Sequence, residues 1–152
     1  MTETLGSLCD KLTIVKLKQW HSEDEEKLKS LTSQADQLCQ EIDEFIVAAT
    51  ESNIPIKRLT FASNKIYKKD GNAIGEVSGS IGQIFAHLAH VNCALWHQQE
   101  KVYEFEKVLV EDKDNVVKQL ALLNLERNQC IDLIDKQFCN TVQTLHTSNQ
   151  SQ

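Results

Sequence analysis

Four polar side chains fall where the pattern of this sequence calls for apolar ones. Asp10 opens the helical stripe Asp10, Ile14, Leu17, His21. Asn92 lies between Val91 and Leu95, and Asn124 and Arg127 interrupt the stripe Leu120, Asn124, Arg127, Ile131, Ile134, Phe138. A guanidinium placed in a core needs a carboxylate, because an unpaired buried charge is strongly destabilising. Asp10 is the best-placed partner for Arg127, with Glu126 and Asp132 as fallbacks. The expectation is a polar cluster of Asp10, Asn92, Asn124 and Arg127 inside, or at one end of, a helical bundle. Such a cluster either fixes the register between helices or binds an anionic or polar small ligand.

Histidines form the second constellation. His21 and Asp24 are three residues apart, as are His97 and Glu100, so each pair shares a helix face at metal-ligand spacing. Paired carboxylate–histidine motifs of this kind hold two metals in some bundles, but in the opposite order, Glu-x-x-His, and with further inward carboxylates. The inward positions of the second helix here are all apolar. His87, His90, Cys93 and His97 also line one stretch, but residues seven apart on a helix are ~10 Å apart, so these cannot all bind one ion; a single site would use Cys93 with His90 or His97 and ligands from elsewhere. No metal or other cofactor is expected. The simpler expectation is that each Trp-His pair closes a packing motif, the Trp packed and the His at the surface.

These residues belong to a repeat. Residues 6–24, GSLCDKLTIVKLKQWHSED, align without a gap on residues 82–100, GQIFAHLAHVNCALWHQQE, at a spacing of 76. Identities fall at Gly6/Gly82, Leu12/Leu88, Val15/Val91, Trp20/Trp96 and His21/His97. The helices that carry them follow three-and-four spacing. Residues 4–21 read as a first helix, capped by Thr2 or Thr4, with Leu5, Leu8, Leu12 and Val15 inward. A second starts between Ser22 and Glu25 and carries the heptad Leu28, Leu31, Ala35, Leu38, Ile42, Phe45, Ala49. Ser78 or Ser80 caps a third, running to about residue 109. Residues 111–115, EDKDN, read as a polar turn. The last helix spans about 115–145, with Val117, Leu120, Ile131, Ile134, Phe138 and Val142 inward.

The predicted fold is all-α: one domain, a four-helix bundle made of two duplicated helical hairpins, about 4–50 and 79–146. A long crossover, 51–78, joins them. It contains the one proline, Pro55, and the one basic region, with Lys57, Arg58, Lys65, Lys68 and Lys69. A connection of that length is either a solvated strap or a functional loop.

Composition narrows the classes of function. A net charge of −6 over 152 residues argues against non-specific binding to nucleic acid or to an anionic membrane. No apolar run approaches the ~20 residues of a membrane span. Five cysteines without CxxC spacing, each among apolar residues, read as buried reduced thiols of a cytoplasmic protein. No Gly-rich phosphate loop, GxSxG, HExxH or EF-hand loop is present.

Residues 9–18 (CDKLTIVKLK), 90–100 (HVNCALWHQQE) and 123–135 (LNLERNQCIDLID) resemble a family of uncharacterised small bacterial helical proteins. That family has Asp-Lys-Leu-Thr-Ile, Val-Asn-x-x-Leu-Trp and Arg-Asn blocks in this order, and residues 64–70 (NKIYKKD) are similar to a Lys-Ile-Tyr-Asn-Asp element between them. Lys68 stands where that element has asparagine. The resemblance implies a domain of unknown function, sometimes placed alongside glycosyltransferase and surface-polysaccharide genes. It picks out Asp10, Lys11, Asn92, Trp96, Arg127 and Asn128.

Two functions follow as expectations. The first is a non-enzymatic module that binds a protein partner or forms a homodimer, using Val102, Tyr103, Phe105, Val108 and Leu109 if the bundle leaves them uncovered. The second is a binder of an anionic or sugar-nucleotide ligand, or an enzyme, on Asp10, Asn92 and Arg127 with Lys65 or Tyr67 of the crossover. A solvent-open pocket around these residues favours the second. Sealing and mutual pairing favour the first.

Overall fold

The computed structural model describes residues 3–61 and 76–150. It is an all-α four-helix bundle: α1 (Leu5–His21), α2 (Glu25–Thr50), α3 (Ile81–Tyr103) and α4 (Val110–Gln150). Short 3-10 turns sit at Ile56–Arg58 and Phe105–Lys107.

Each helix starts at a local signal. Thr4 caps α1 through the Ser7 N–H, and the Ser7 hydroxyl answers the Thr4 N–H, forming a reciprocal capping box. Asp24, not Ser22, caps α2, accepting from the N–H groups of Glu26 and Lys27. The chain therefore turns at 22–24 and forms a hairpin, rather than continuing as one bent helix. Ser80 caps α3, with Gln83 completing the box. Gly79, just before that cap, has φ 128°, a conformation only glycine adopts at low cost.

Residues 111–115 correct the expected polar turn. They are the first turn of α4, where Glu111 and Asp112 meet the positive end of the helix dipole. The turn lies earlier, over 104–109, so α3 ends at Tyr103 and not near 109. With the start moved, Val116 is buried and Val117 is exposed, the reverse of the expected facing.

The core lies where α4 crosses the other elements. Ile131, Ile134, Phe138 and Val142 of α4 meet Leu5 of α1, Ala49 of α2 and Ile84 and Leu88 of α3. The described ends of the crossover are part of this core and not a solvated strap: Leu59 is fully buried, Val77 is buried, and Ile54 and Ile56 pack against them. The helices do not pack equally. α1 touches α2, α3 and α4. α2 packs mainly on α1 and reaches α4 near its own C-terminal end, where the Phe45 and Phe138 rings are 6.1 Å apart. Its heptad is consequently half-covered: only Ala35 and Ala49 are buried. No helix of the described residues is long and apolar enough to cross a membrane.

Candidate functional site

Asp10 of α1, Asn92 of α3 and Arg127 of α4 come together, as their positions on apolar stripes required. The Arg127 Nε–H donates to Asp10 Oδ1 at 2.8 Å and its Nη2–H to Oδ2 at 2.5 Å. This is a bidentate pair, the strongest geometry a guanidinium and a carboxylate form. The Asn92 amide donates to Asp10 Oδ1 at 2.9 Å and to the Thr13 hydroxyl at 2.7 Å. Thr13 Oγ1–H in turn donates to the Asp10 carbonyl at 2.8 Å. Three helices are thus tied through one carboxylate. Asp10 and Asn92 are buried, while the Arg127 side chain keeps 29% of its exposure. The hydrogen-bonded Asp10 carboxylate pushes the Arg127 guanidinium above its ordinary value, against the opposing effect of burial.

The other expected members do not join. Asn124 and Asn128 sit in the stripe but donate to the carbonyls one turn back, of Leu120 and Asn124. The polar periodicity that singled out Asn124 is therefore satisfied within α4. Lys11 faces outward and pairs with Glu3, at 2.5 Å. Lys11 and the Ser7 hydroxyl hold the Glu3 carboxyl below its usual range. Lys65 and Tyr67 lie outside the described residues. Thr13, three residues after Asp10 on the same helix, was not among the expected members.

A second buried carboxylate lies outside the expected cluster. Asp135 of α4 accepts from the Gly6 N–H at 2.7 Å through Oδ1, and its Oδ2 is buried. Burial pushes this carboxyl up to about 6, and Asp132 adds to the rise; the Gly6 N–H and the Thr4 hydroxyl act the other way. The contact exists because Gly6 has no side chain. A Cβ there would meet the Ile131 carbonyl oxygen at 2.5 Å and Asp135 Oδ1 at 2.9 Å. The signal was present in the sequence: Asp135 lies on the stripe Ile131, Asp135, Phe138, Val142, an interruption of the same kind as Arg127.

The histidine pairs are divided among other tasks. Asp24 caps α2 and does not face His21. His21 stacks on Trp96, ring centroids 4.6 Å apart and planes 18° apart, and donates from Nδ1 to the Leu17 carbonyl at 2.8 Å. His97 meets His21 edge-on at 6.5 Å and lies 3.6 Å from Glu100. Trp96 Nε1–H donates to the other Glu100 oxygen at 2.8 Å. Trp20 is not packed; it is 85% exposed. His87 pairs with Glu126 at 2.5 Å. Among the described residues no group of three or more His, Cys, Asp or Glu side chains gathers at one point.

The five cysteines are free thiols. Burial pushes Cys9 and Cys130 up to about 11, helped by nearby carboxylates, and raises Cys139 as well. A thiol held protonated in this way is a poor nucleophile. Only Cys130 and Cys139 meet the expectation of burial: Cys9 and Cys93 are half-buried, and Cys39 is exposed because α2 turns that side to solvent.

Two adjoining depressions run along the α1–α2 face. One, of about 370 Å³, is bounded by Lys18, His21, Lys27, Leu31 and Trp96. The other, of about 360 Å³, is bounded by Lys11, Ile14, Lys18, Leu38 and Glu41. Lys18 and Gln34 border both, so they form one groove. It exists because α2 is covered on one side only. Neither depression is bordered by Asp10, Asn92 or Arg127.

Compared with protein-family models, with curated proteins and with solved structures, the chain has no match in any of the three.

Proposed function

We propose that this chain is a non-enzymatic module that works by assembly, with itself in the first instance. The observation that carries the reading is the uncovered end of the α3–α4 hairpin. Tyr103, Leu109, Val110 and Val117 are 78%, 62%, 81% and 55% exposed there. Val102, Phe105 and Val108 beside them are half-buried. Apolar side chains grouped at a helix tip carry a solvation cost that a protein contact removes.

The polar cluster supports the same reading. Asp10, Asn92 and Arg127 face one another, so a ligand at this site would first have to take Arg127 away from Asp10. Their arrangement suits a register device that locks α1, α3 and α4. The family resemblance of the sequence would place such a module beside glycosyltransferases of surface-polysaccharide synthesis, as a scaffold and not as a catalyst.

The test is the mass of the purified full chain by light scattering over a wide concentration range, with native mass spectrometry alongside. The expected result is a concentration-dependent oligomer that dissociates when Val110→Asp and Val117→Asp are combined. A monomer at every concentration overturns the reading. A co-purified small molecule that is lost in Arg127→Met would move the function to the polar cluster.

A further inference from the structure

The α3–α4 tip is complementary to the α1–α2 groove, whose first depression, at the α1–α2 turn, is bordered by Trp96 of α3. Residues 104–114 hold five acids (Glu104, Glu106, Glu111, Asp112, Asp114) and two lysines. Lys107 is paired with Glu104 at 2.8 Å, and Lys113 lies over the Phe105 ring, 4.9 Å from its centre. Neither lysine is paired with the acids of α4. Val110, Asp114 and Val117 follow at four- and three-residue steps and so share one face, all three exposed. An acid flanked by two valines is therefore presented to solvent.

The groove has the opposite character. Ile14, Leu31 and Leu38 give it an apolar lining; Lys18 and Lys27 border its first depression, which no acid lines, while Lys11, paired with Glu3, and Glu41 border the second. Lys18 makes no ion pair among the described residues, and Lys27 only a 4.0 Å contact with Asp24, both partners largely exposed. This pair of lysines at the first depression, on a chain of net charge −6, has its counterpart in the acidic tip of the same chain.

Position completes the argument. Trp96 borders the groove, and Tyr103 begins the tip seven residues further along α3, ~10 Å by the helical rise. Two complementary patches side by side on one molecule can engage the same patches of a second copy about a two-fold axis, tip to groove twice over. Such a contact closes at two subunits and leaves neither patch free to extend a fibre.

We infer that the partner of the α1–α2 groove is the α3–α4 tip of a second copy of this chain, in a reciprocal dimer. The valines pack on Ile14, Leu31 and the lysine stems, and Asp114 and Glu111 meet Lys18 and Lys27. The inference rests on the self-assembly proposed above and adds the identity of the two surfaces.

A charge exchange tests it, read by light scattering and sedimentation on the full chain. Lys18→Glu with Lys27→Glu should weaken the dimer by at least about tenfold, since like charges then face each other. Glu111→Lys with Asp114→Lys should do the same. Combining all four in one chain should restore the dimer, while that chain should not pair with the wild type. All four positions are exposed helix surface, and circular dichroism checks that each variant is folded. A dimer indifferent to the groove lysines but lost with Val110→Asp and Val117→Asp overturns this inference and leaves the self-assembly reading standing, as a tip-to-tip contact. Failure of the fourfold exchange to restore association also overturns it. A monomeric wild type overturns both.

Discussion

The two aligned stretches, 6–24 and 82–100, share residues but not surroundings. Gly6 sits against the α4 backbone with no room for a Cβ, whereas a Cβ on Gly82 would meet nothing within 4 Å. Leu88 is fully buried and Leu12 only half-buried. Trp96 is half-buried and stacked, and Trp20 projects into solvent. Val15 and Val91 alone of the five identities are buried on both sides. The cause is the position of α4. It crosses close to the start of α1 and runs alongside the whole of α3, so the same residue meets a backbone in one stretch and water in the other. The residues that tie the helices together are the ones the two stretches do not share: Asp10 aligns with Ala86, and Asn92 with Lys16.

The largest expected effect comes from breaking that asymmetric tie. Arg127→Met leaves the Asp10 carboxylate buried with only the Asn92 amide, and should destabilise the fold by about 3–5 kcal/mol. Asp10→Ala, which makes the first stretch like the second, should cost less, about 2 kcal/mol, because Arg127 lies nearer the surface and can turn to water. The double variant should cost clearly less than the sum of the two. Urea titrations of the four proteins measure this. Additive costs would show that the pair is not coupled and that the two stretches are held in the same way.

Glycine gives the next comparison. Gly6→Ala forces α1 away from the Ile131 carbonyl and should cost about 3 kcal/mol. Gly82→Ala has open space and a helical backbone, and should be neutral or stabilising by up to about 1 kcal/mol. Equal melting temperatures for the two variants would refute the close approach at Gly6. The same approach has a pH signature. The Asp135 carboxyl titrates at about 6 in the folded protein, above its ordinary 3.8. Between those values the folded state binds more protons than the unfolded one. This group's contribution therefore rises as pH falls from 7 towards 4, by about 2 kcal/mol. Asp135→Asn keeps an acceptor for the Gly6 N–H and removes the titration. The difference between wild type and variant should change with pH in that direction. A difference that is flat from pH 7 to pH 4 would count against a buried carboxylate at this crossing.

These features were legible in the sequence to different degrees, for physical reasons. The four helices and the Asp10–Asn92–Arg127 cluster follow from period and from polar interruptions of apolar stripes, because a buried charge restricts its partners severely. Asn124 interrupts a stripe just as Arg127 does, yet a short amide can satisfy itself on its own helix, and the pattern does not distinguish the two cases. Asp135 obeys the rule that found Arg127, but its partner is a backbone N–H, which has no letter in the sequence. The acids at 111–114 suit a turn or a helix start equally well, and only the tertiary position of Val116 decides between them. The open groove on α2 is not written in its heptad. A heptad states which face is apolar and does not state whether a neighbour covers it.

The tryptophans give the smallest and sharpest comparison, since the aligned Trp-His pairs read as one packing motif used twice. The contact formed is instead a crossed one, His21 of the first stretch on Trp96 of the second. Trp96→Ala removes that stack and the hydrogen bond to Glu100, and should cost about 1–2 kcal/mol. Trp20→Ala removes an exposed ring and should change stability by no more than about 0.5 kcal/mol. Because the chain has only these two tryptophans, Trp20→Phe and Trp96→Phe each leave one emitter. Trp20 alone should emit like indole in water. Trp96 alone should emit further to the blue, and should shift towards the solvent spectrum when His21→Ala uncovers the ring face. Identical spectra from the two single-tryptophan proteins would mean that both stretches bury, or both expose, this residue. The crossed stack would then give way to the symmetric motif that the sequence alone suggests.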